Sequence, residues 1–277
     1  MRLFSLVLLL VPFSVFGKTI LLTNDDGYQA PGITALYEAL KAANHEVILV
    51  APATQQSGAS ASIKSSELIL EQHAEHVYSV TGRPADAVRI GLGVVLKDNK
   101  PDLVISGTNF GQNAGQEVIV SGTVGAAATA LGLGYPAIAV SVEIKFSEMA
   151  ERFPSTLKAM PDAADFIVEL LESGVKLSDK AILNVNYPAV PRDQVKGVVS
   201  TTVSNYSLFD GTYRKSEDGS LRANFNLTPA LGRGTDAYEL SQGYVTITRL
   251  DGTYGLPVNR QLKRLAKDMD REYPVTE

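Results

Sequence analysis

Asn24-Asp25-Asp26-Gly27 sets two carboxylates side by side directly after a short apolar run, Thr19 to Thr23. Neighbouring carboxylates repel unless a cation or hydrogen-bond donors compensate, and a divalent metal does so directly. The same tetrapeptide is also an ordinary turn, since Asn, Asp and Gly are turn residues. A second stretch, Gln56-Ser57-Gly58-Ala59-Ser60, offers hydroxyls and flexible backbone N–H groups. A third, Ser106 to Gly115, holds three glycines beyond its first serine and two asparagines, Asn109 and Asn113, which permit close backbone approach and bring amide carbonyls to a ligand. It leads into Ser121-Gly122-Thr123-Val124, where Ser and Thr open an Ala-rich helix. Such residues cap a helix, and the free N–H groups there also attract anions. Pooled, the three stretches supply only oxygen ligands, a set that suits Mg²⁺ or Mn²⁺ rather than zinc or copper. A hard cation beside a helix N-terminus is what a phosphoryl group needs.

Composition narrows the alternatives. The 277 residues include no cysteine, which excludes a thiolate metal site, an iron–sulfur cluster and a cysteine nucleophile. Only three histidines occur, His45, His73 and His76, and none lies in the stretches above. His45 follows the first helix and is expected in solvent, as are His73 and His76 in the polar run from Glu71. The 30 acidic against 25 basic residues give a net charge of −5 and no basic footprint for nucleic acid. Met1-Arg2, the apolar run Leu3 to Phe16 and the small residue Gly17 have the layout of a secretory signal. The expectation is cleavage after Gly17, export to the periplasm, and no membrane attachment of the mature chain.

The positioning elements follow from the apolar pattern. Strands are expected at Thr19–Thr23, Glu46–Ala51, Leu68–Leu70, Val77–Val80, Asp102–Ser106, Pro136–Ser141 and Ala181–Tyr187. Helices are expected from Ile33 to Asn44, Pro84 to Leu96, Gly122 to Leu133 and Met160 to Glu172. Strands alternating with helices, and apolar throughout, predict an α/β fold with a mostly parallel sheet covered on both faces. Ligands of such sheets sit outside the carboxyl ends of the strands. The loops after Thr23, Ala51 and Ser106 leave from those ends. Residues 196–250 alternate polar and apolar and read as strands and hairpins projecting from a core of about 18–195, with a charged helix from Gln261 to Tyr273 completing a single domain, 18–277.

Five ordered motifs carry a family resemblance: Asn24-Asp25-Asp26-Gly27 with Ala30-Pro31-Gly32; Ala51-Pro52 with Ser57-Gly58-Ala59-Ser60; Thr81-Gly82-Arg83-Pro84-Ala85-Asp86; Pro101 to Asn109; and Ser121-Gly122-Thr123-Val124. A weaker continuation runs through Gly234-Thr235-Asp236 and Gly243 to Thr248. Together they resemble the SurE family of metal-dependent survival-protein nucleotidases. The resemblance implies a Rossmann-like sheet, a β-hairpin extension, a C-terminal swap element, and a homodimer or homotetramer. It implies hydrolysis of nucleoside 5′- and 3′-monophosphates, and of short polyphosphate in some members. By position it implies Asp25, Asp26, Ser57 and Asn109 as ligands of one Mg²⁺ or Mn²⁺ per subunit. It further implies Asn109, Ser121, Gly122 and Thr123 as phosphate-facing residues, with Asp25, Asp26 and Asn109 the catalytic set.

The expected chemistry is attack on phosphorus by a water that the cation activates, with Asp25 or Asp26 a candidate proton acceptor. Three other readings use the same residues. An aspartyl-phosphate route would make Asp25 or Asp26 the nucleophile, although the usual arrangement for that chemistry separates the two Asp by one residue. An exported, non-catalytic phosphate- or nucleotide-binding module, or an acid phosphatase of broad specificity, would keep the same loops.

Overall fold

A computed structural model describes residues 17–225, 232–253 and 260–270. The expected signal segment lies almost wholly outside the described residues, as do residues 271–273 of the expected C-terminal helix. Strands β1 (Thr19–Thr23), β2 (Glu46–Pro52), β3 (Leu70–Ala74), β4 (Val77–Val80), β5 (Leu103–Phe110), β6 (Ala137–Val142), β7 (Ile182–Tyr187), β8 (Val198–Thr201) and β11 (Val245–Leu250) form one nine-stranded sheet, ordered β3-β4-β2-β1-β5-β6-β7-β11-β8. The run from β4 to β7 is parallel throughout. β3 pairs antiparallel with β4, and β11 pairs antiparallel with β7. β9 (Phe209–Lys215) and β10 (Leu221–Phe225) make a separate antiparallel hairpin.

Helices cover both faces, as the unbroken apolar strands require. On one face α1 (Pro31–Ala42) and α5 (Pro154–Glu172) bury Ile33, Leu36, Leu40, Met160 and Ile167 against Leu22, Leu49 and Ile105. On the other, α2 (Pro84–Ile90) and α4 (Gly122–Gly132) bury Val88, Ala126, Ala127 and Ala130 against Leu21, Val50 and Val104. Successive strand residues alternate between these two cores, the period-2 geometry of a strand. α3 (Glu117–Val120) is a single turn ahead of α4, α6 (Asp236–Ser241) precedes β11, and α7 (Arg260–Asp270) follows it.

Several expectations change. Residues 196–250 do not all project. β8 and β11 join the main sheet, because Val245, Thr246 and Thr248 bury against β7, and only the β9–β10 hairpin stands apart. Strand β5 continues to Phe110, past the point where its glycines suggested a loop. The register with β6 shifts between Ser106 and Asn109, and Gly107 supplies φ +138° there, a conformation open to glycine. The strand expected at residues 68–70 instead starts at Leu70 and runs through the polar residues to Ala74, because pairing with β4 holds it at the sheet edge. Helix α5 begins six residues early, at Pro154, and carries Pro161 inside it. His45 is buried rather than solvated: its Nδ1 accepts the Lys18 N–H, and burial first, then the Lys18 charge, holds its pKa below the usual histidine range. His73 is exposed as expected, stacked on Tyr28 and bonded to Ser79.

Candidate metal and phosphate site

β1 leads through α1 to β2 on one side, and β5 leads through α4 to β6 on the other. The connections therefore part between β1 and β5, which makes this the switch-point crevice of the sheet. Thr23 pairs with Ser106 at its floor. The loops after β1, β2 and β5 meet above it.

Asn24 closes the first loop on itself. Its Nδ2 donates to the Gly27 carbonyl at 2.8 Å and its Oδ1 accepts the Gly27 N–H at 3.2 Å. Gly27 takes φ +104°, which glycine adopts without a Cβ penalty. The loop is then pinned from outside: Tyr28 N–H donates to the Pro52 carbonyl, and the Asp25 carbonyl accepts the Gln56 N–H. This turn chemistry frees both carboxylates to face the crevice. Asp26 Oδ2 accepts the Phe110 N–H at 2.9 Å, from the residue next to Asn109. Asp25 Oδ1 accepts the Thr123 hydroxyl at 2.6 Å. Asn109 commits its Nδ2 to the Gly111 carbonyl at 2.6 Å, which leaves its side-chain carbonyl oxygen free to accept or to ligate.

Both acids are raised. Burial pushes the Asp25 carboxyl above the usual range, opposed by the Thr123 hydroxyl and by the backbone N–H groups of Thr123 and Gly122. Burial and then the charge of Asp25 push Asp26 up to about 6, opposed by the Phe110 N–H. Two buried like charges are costly, and a nearby cation would offset both the lost solvation and the repulsion. Among the described residues no cluster of three or more His, Cys, Asp or Glu could hold a metal. A metal here must therefore draw on the two carboxylates plus amide and hydroxyl oxygens. That donor set fits a hard divalent cation.

The structure brings Asp25, Asp26, Asn109, Gly122 and Thr123 together. Thr123 donates its hydroxyl to Asp25 and so orients a carboxylate. Ser121 accepts the Val124 N–H at 3.0 Å as the N-cap of α4, and its own proton stays available to a ligand oxygen. Ser57 sits beside Gln56 but is exposed, with its hydroxyl accepting from Gln55 Nε2. Its loop is held against α3 by Ser60, whose N–H and hydroxyl donate to the Val120 and Ile119 carbonyls. A Cβ at Gly125 would come within 2.2 Å of Ser60, so glycine there permits the approach.

Sequence reasoning assigned no role to Asp86, Glu117 or Asp236. Asp86 receives the N–H groups of Arg83 and Lys64 and so ties the second loop to α2. Its signal was the acid three residues into a helix start, the capping-box position. Glu117 and Asp236 are answered by partners far along the chain and left no local signal.

The family model described as Survival protein SurE matches residues 20–209. The 5'-nucleotidase SurE of Nitratidesulfovibrio vulgaris (strain Miyazaki F) is 38% identical over 237 residues, 83% of this chain and 85% of that protein. The 5'-nucleotidase SurE of Desulfitobacterium hafniense (strain Y51) is 35% identical over 92% of this chain and 98% of its own. The crystal structure of the SurE protein from Aquifex aeolicus superposes with a TM-score of 0.73 at 30% identity, covering 92% of this chain and 99% of that one.

Proposed function

The chain belongs to the SurE family, and from that membership together with the crevice geometry we propose that it is a 5'-nucleotidase. Its reaction is hydrolysis of a nucleoside 5′-monophosphate to nucleoside and phosphate. In finer detail, the reading includes dependence on one Mg²⁺ or Mn²⁺ per subunit, activity on 3′-monophosphates and short polyphosphate, export with cleavage after Gly17, and assembly into a homodimer or homotetramer.

One observation carries the reading: Asp25 and Asp26 lie at the switch point, bonded respectively to the first turn of α4 and to the end of β5 beside Asn109. Asp25, Asp26 and Asn109 would hold the cation, with Ser57 completing the set through its hydroxyl. When bound, the cation neutralises phosphate charge and lowers the pKa of a water. Thr123 and the Phe110 N–H fix the two carboxylates, so the ligand oxygens need no reorganisation on binding. The Ser121 hydroxyl and the N-terminal turn of α4 orient the phosphate oxygens through oriented donors. Asp25 is itself held by the backbone N–H groups of that turn.

The test is phosphate release from nucleoside 5′- and 3′-monophosphates, short polyphosphate and p-nitrophenyl phosphate, with Mg²⁺, Mn²⁺ or chelator. Cation-dependent turnover of the monophosphates is expected. Asp25→Asn and Asp26→Asn should each lower kcat by about 10²–10³, as loss of one preorganised electrostatic group does. Binding of nucleotide without turnover would favour the binding-module reading. Activity within about threefold of wild type in both variants, under ~1 kcal/mol of barrier, would remove these carboxylates from the mechanism.

A further inference from the structure

The hairpin that stands apart from the sheet is rooted in the phosphate side of the crevice, through two buried carboxylates that the reaction does not use. Glu117 is 7% exposed and Asp236 fully buried. Among the described residues neither pairs with a Lys or Arg; N–H and O–H donors answer both. Glu117 Oε1 accepts the Leu208 N–H at 2.6 Å and the Ser207 hydroxyl at 3.2 Å, just ahead of β9. Asp236 bridges two segments, with Oδ2 accepting the Gly115 N–H at 3.0 Å and Oδ1 the Ser204 N–H at 2.9 Å. Between them the Gln116 N–H donates to the Tyr206 carbonyl at 2.8 Å. A Cβ at Gly115 would lie 2.3 Å from that same carbonyl, so the two segments are in the closest contact backbone allows. One helical turn on, the Glu117 carbonyl accepts the Ser121 N–H.

We propose that Glu117 and Asp236 are positioning residues that lock the root of the β9–β10 hairpin to the turn presenting Ser121, so that phosphate affinity depends on where the hairpin sits. The lacing joins residues 204–208 to residues 115–117, and Ser121 inherits its place from Glu117. The carboxylates that would hold the cation lie instead in the loop after β1, with Asn109 on β5 and the Asp25 partner Thr123 inside α4, whose own packing on the sheet does not pass through the clamp. Loss of the clamp therefore acts on phosphate and spares the cation. Farther out, Phe225 of the hairpin packs on Phe146 at 5.1 Å, so a body that displaces the hairpin pulls on this root. The proposal rests on the reading that the Ser121 turn receives phosphate.

The test measures inorganic phosphate and Mn²⁺ binding by calorimetry, and KM and kcat at saturating Mn²⁺, for the full chain and for Glu117→Ala, Glu117→Gln and Asp236→Asn. Glu117→Ala should weaken phosphate binding and raise KM about tenfold, equivalent to ~1.4 kcal/mol. Mn²⁺ affinity should stay within about threefold of wild type, under ~1 kcal/mol. Glu117→Gln keeps an acceptor for Leu208 and should recover most of the loss. Asp236→Asn, which turns one acceptor into a donor facing an N–H, should repeat the Glu117→Ala pattern and stands in for it if that variant does not fold. Phosphate binding unchanged in both Glu117→Ala and Asp236→Asn would overturn the clamp alone. A parallel fall in Mn²⁺ affinity would also overturn it, because a general loosening would then explain both. A wild-type protein that binds Mn²⁺ but no phosphate would defeat the underlying reading of the site along with the clamp.

Discussion

Thr123 shows how one hydroxyl decides the state of a carboxylate. It gives Asp25 its short hydrogen bond, and the bond opposes the desolvation that raises that acid. Hydrogen bonds to a charged group contribute about 1.5–3 kcal/mol. Thr123→Val keeps the shape and removes the donor, so kcat should fall at least about tenfold, ~1.4 kcal/mol of barrier, and the melting temperature should drop by several degrees. Steady-state kinetics with saturating Mn²⁺ check this, and near-normal kcat would mean the hydroxyl does not matter to catalysis. Asp26 supplies a pH test on the metal-free protein. Its carboxyl is held at about 6 when folded against 3.8 when unfolded. A raised acid contributes stability that is complete below the unfolded value and is lost as pH rises through the folded one. In chelator, Asp26→Asn should therefore melt above wild type near neutral pH, and the gap should close as pH falls from ~7.5 toward ~4. A gap independent of pH would refute the strained-carboxylate picture. These residues were legible in the sequence as an acidic pair after a strand. The partners that tune them were not, because Phe110 and Thr123 lie 84 and 98 residues away.

Helix α4 carries the site at one end only, and its glycines separate the ends. A Cβ at Gly122 would lie 2.7 Å from the Asp25 side chain, whereas one at Gly132 meets nothing within 4 Å. Gly122→Ala should push the helix start off Asp25 and lower activity by at least about tenfold, a barrier change of ~1.4 kcal/mol. Gly132→Ala should leave kinetics unchanged and stabilise the fold by about 0.5–1 kcal/mol, the helical preference of Ala over Gly. Assays and thermal melts of both variants check the pair, and equal effects would mean that α4 does not present the site by its first turn. The sequence located this helix, because an Ala-rich run behind a Ser cap is a local pattern. It missed the continuation of β5 to Phe110, because pairing with β6 outweighs the local glycine preference for a loop.

For the whole molecule, the β9–β10 hairpin has no sheet partner among the described residues and exposes Tyr213 and Leu221, at 66% and 64%. An isolated two-stranded hairpin is marginal in water. Light scattering should therefore find a dimer or tetramer at micromolar protein, and removal of the hairpin should lower that mass. A single-chain species for the intact protein would refute assembly. Export gives a separate expectation: protein from the periplasmic fraction should begin at Lys18 on N-terminal sequencing, whereas retained Met1 would count against it. Among the described residues no helix is long and apolar enough to cross a membrane.

The sequence by itself determined the alternation of strand and helix, the carboxyl-end loops, the acidic pair and an oxygen-only donor set, since each is written in a contiguous stretch whose periodicity or turn chemistry acts locally. Tertiary structure decided the rest. It placed β8 and β11 in the main sheet, buried His45, and gave the Thr123 hydroxyl to Asp25. It also closed the Gly115–Asp236 bond across 121 residues. The physical reason is common to all four. Burial and hydrogen-bond satisfaction depend on which surfaces meet, and a buried donor or acceptor takes the nearest partner in space, whatever its distance along the chain.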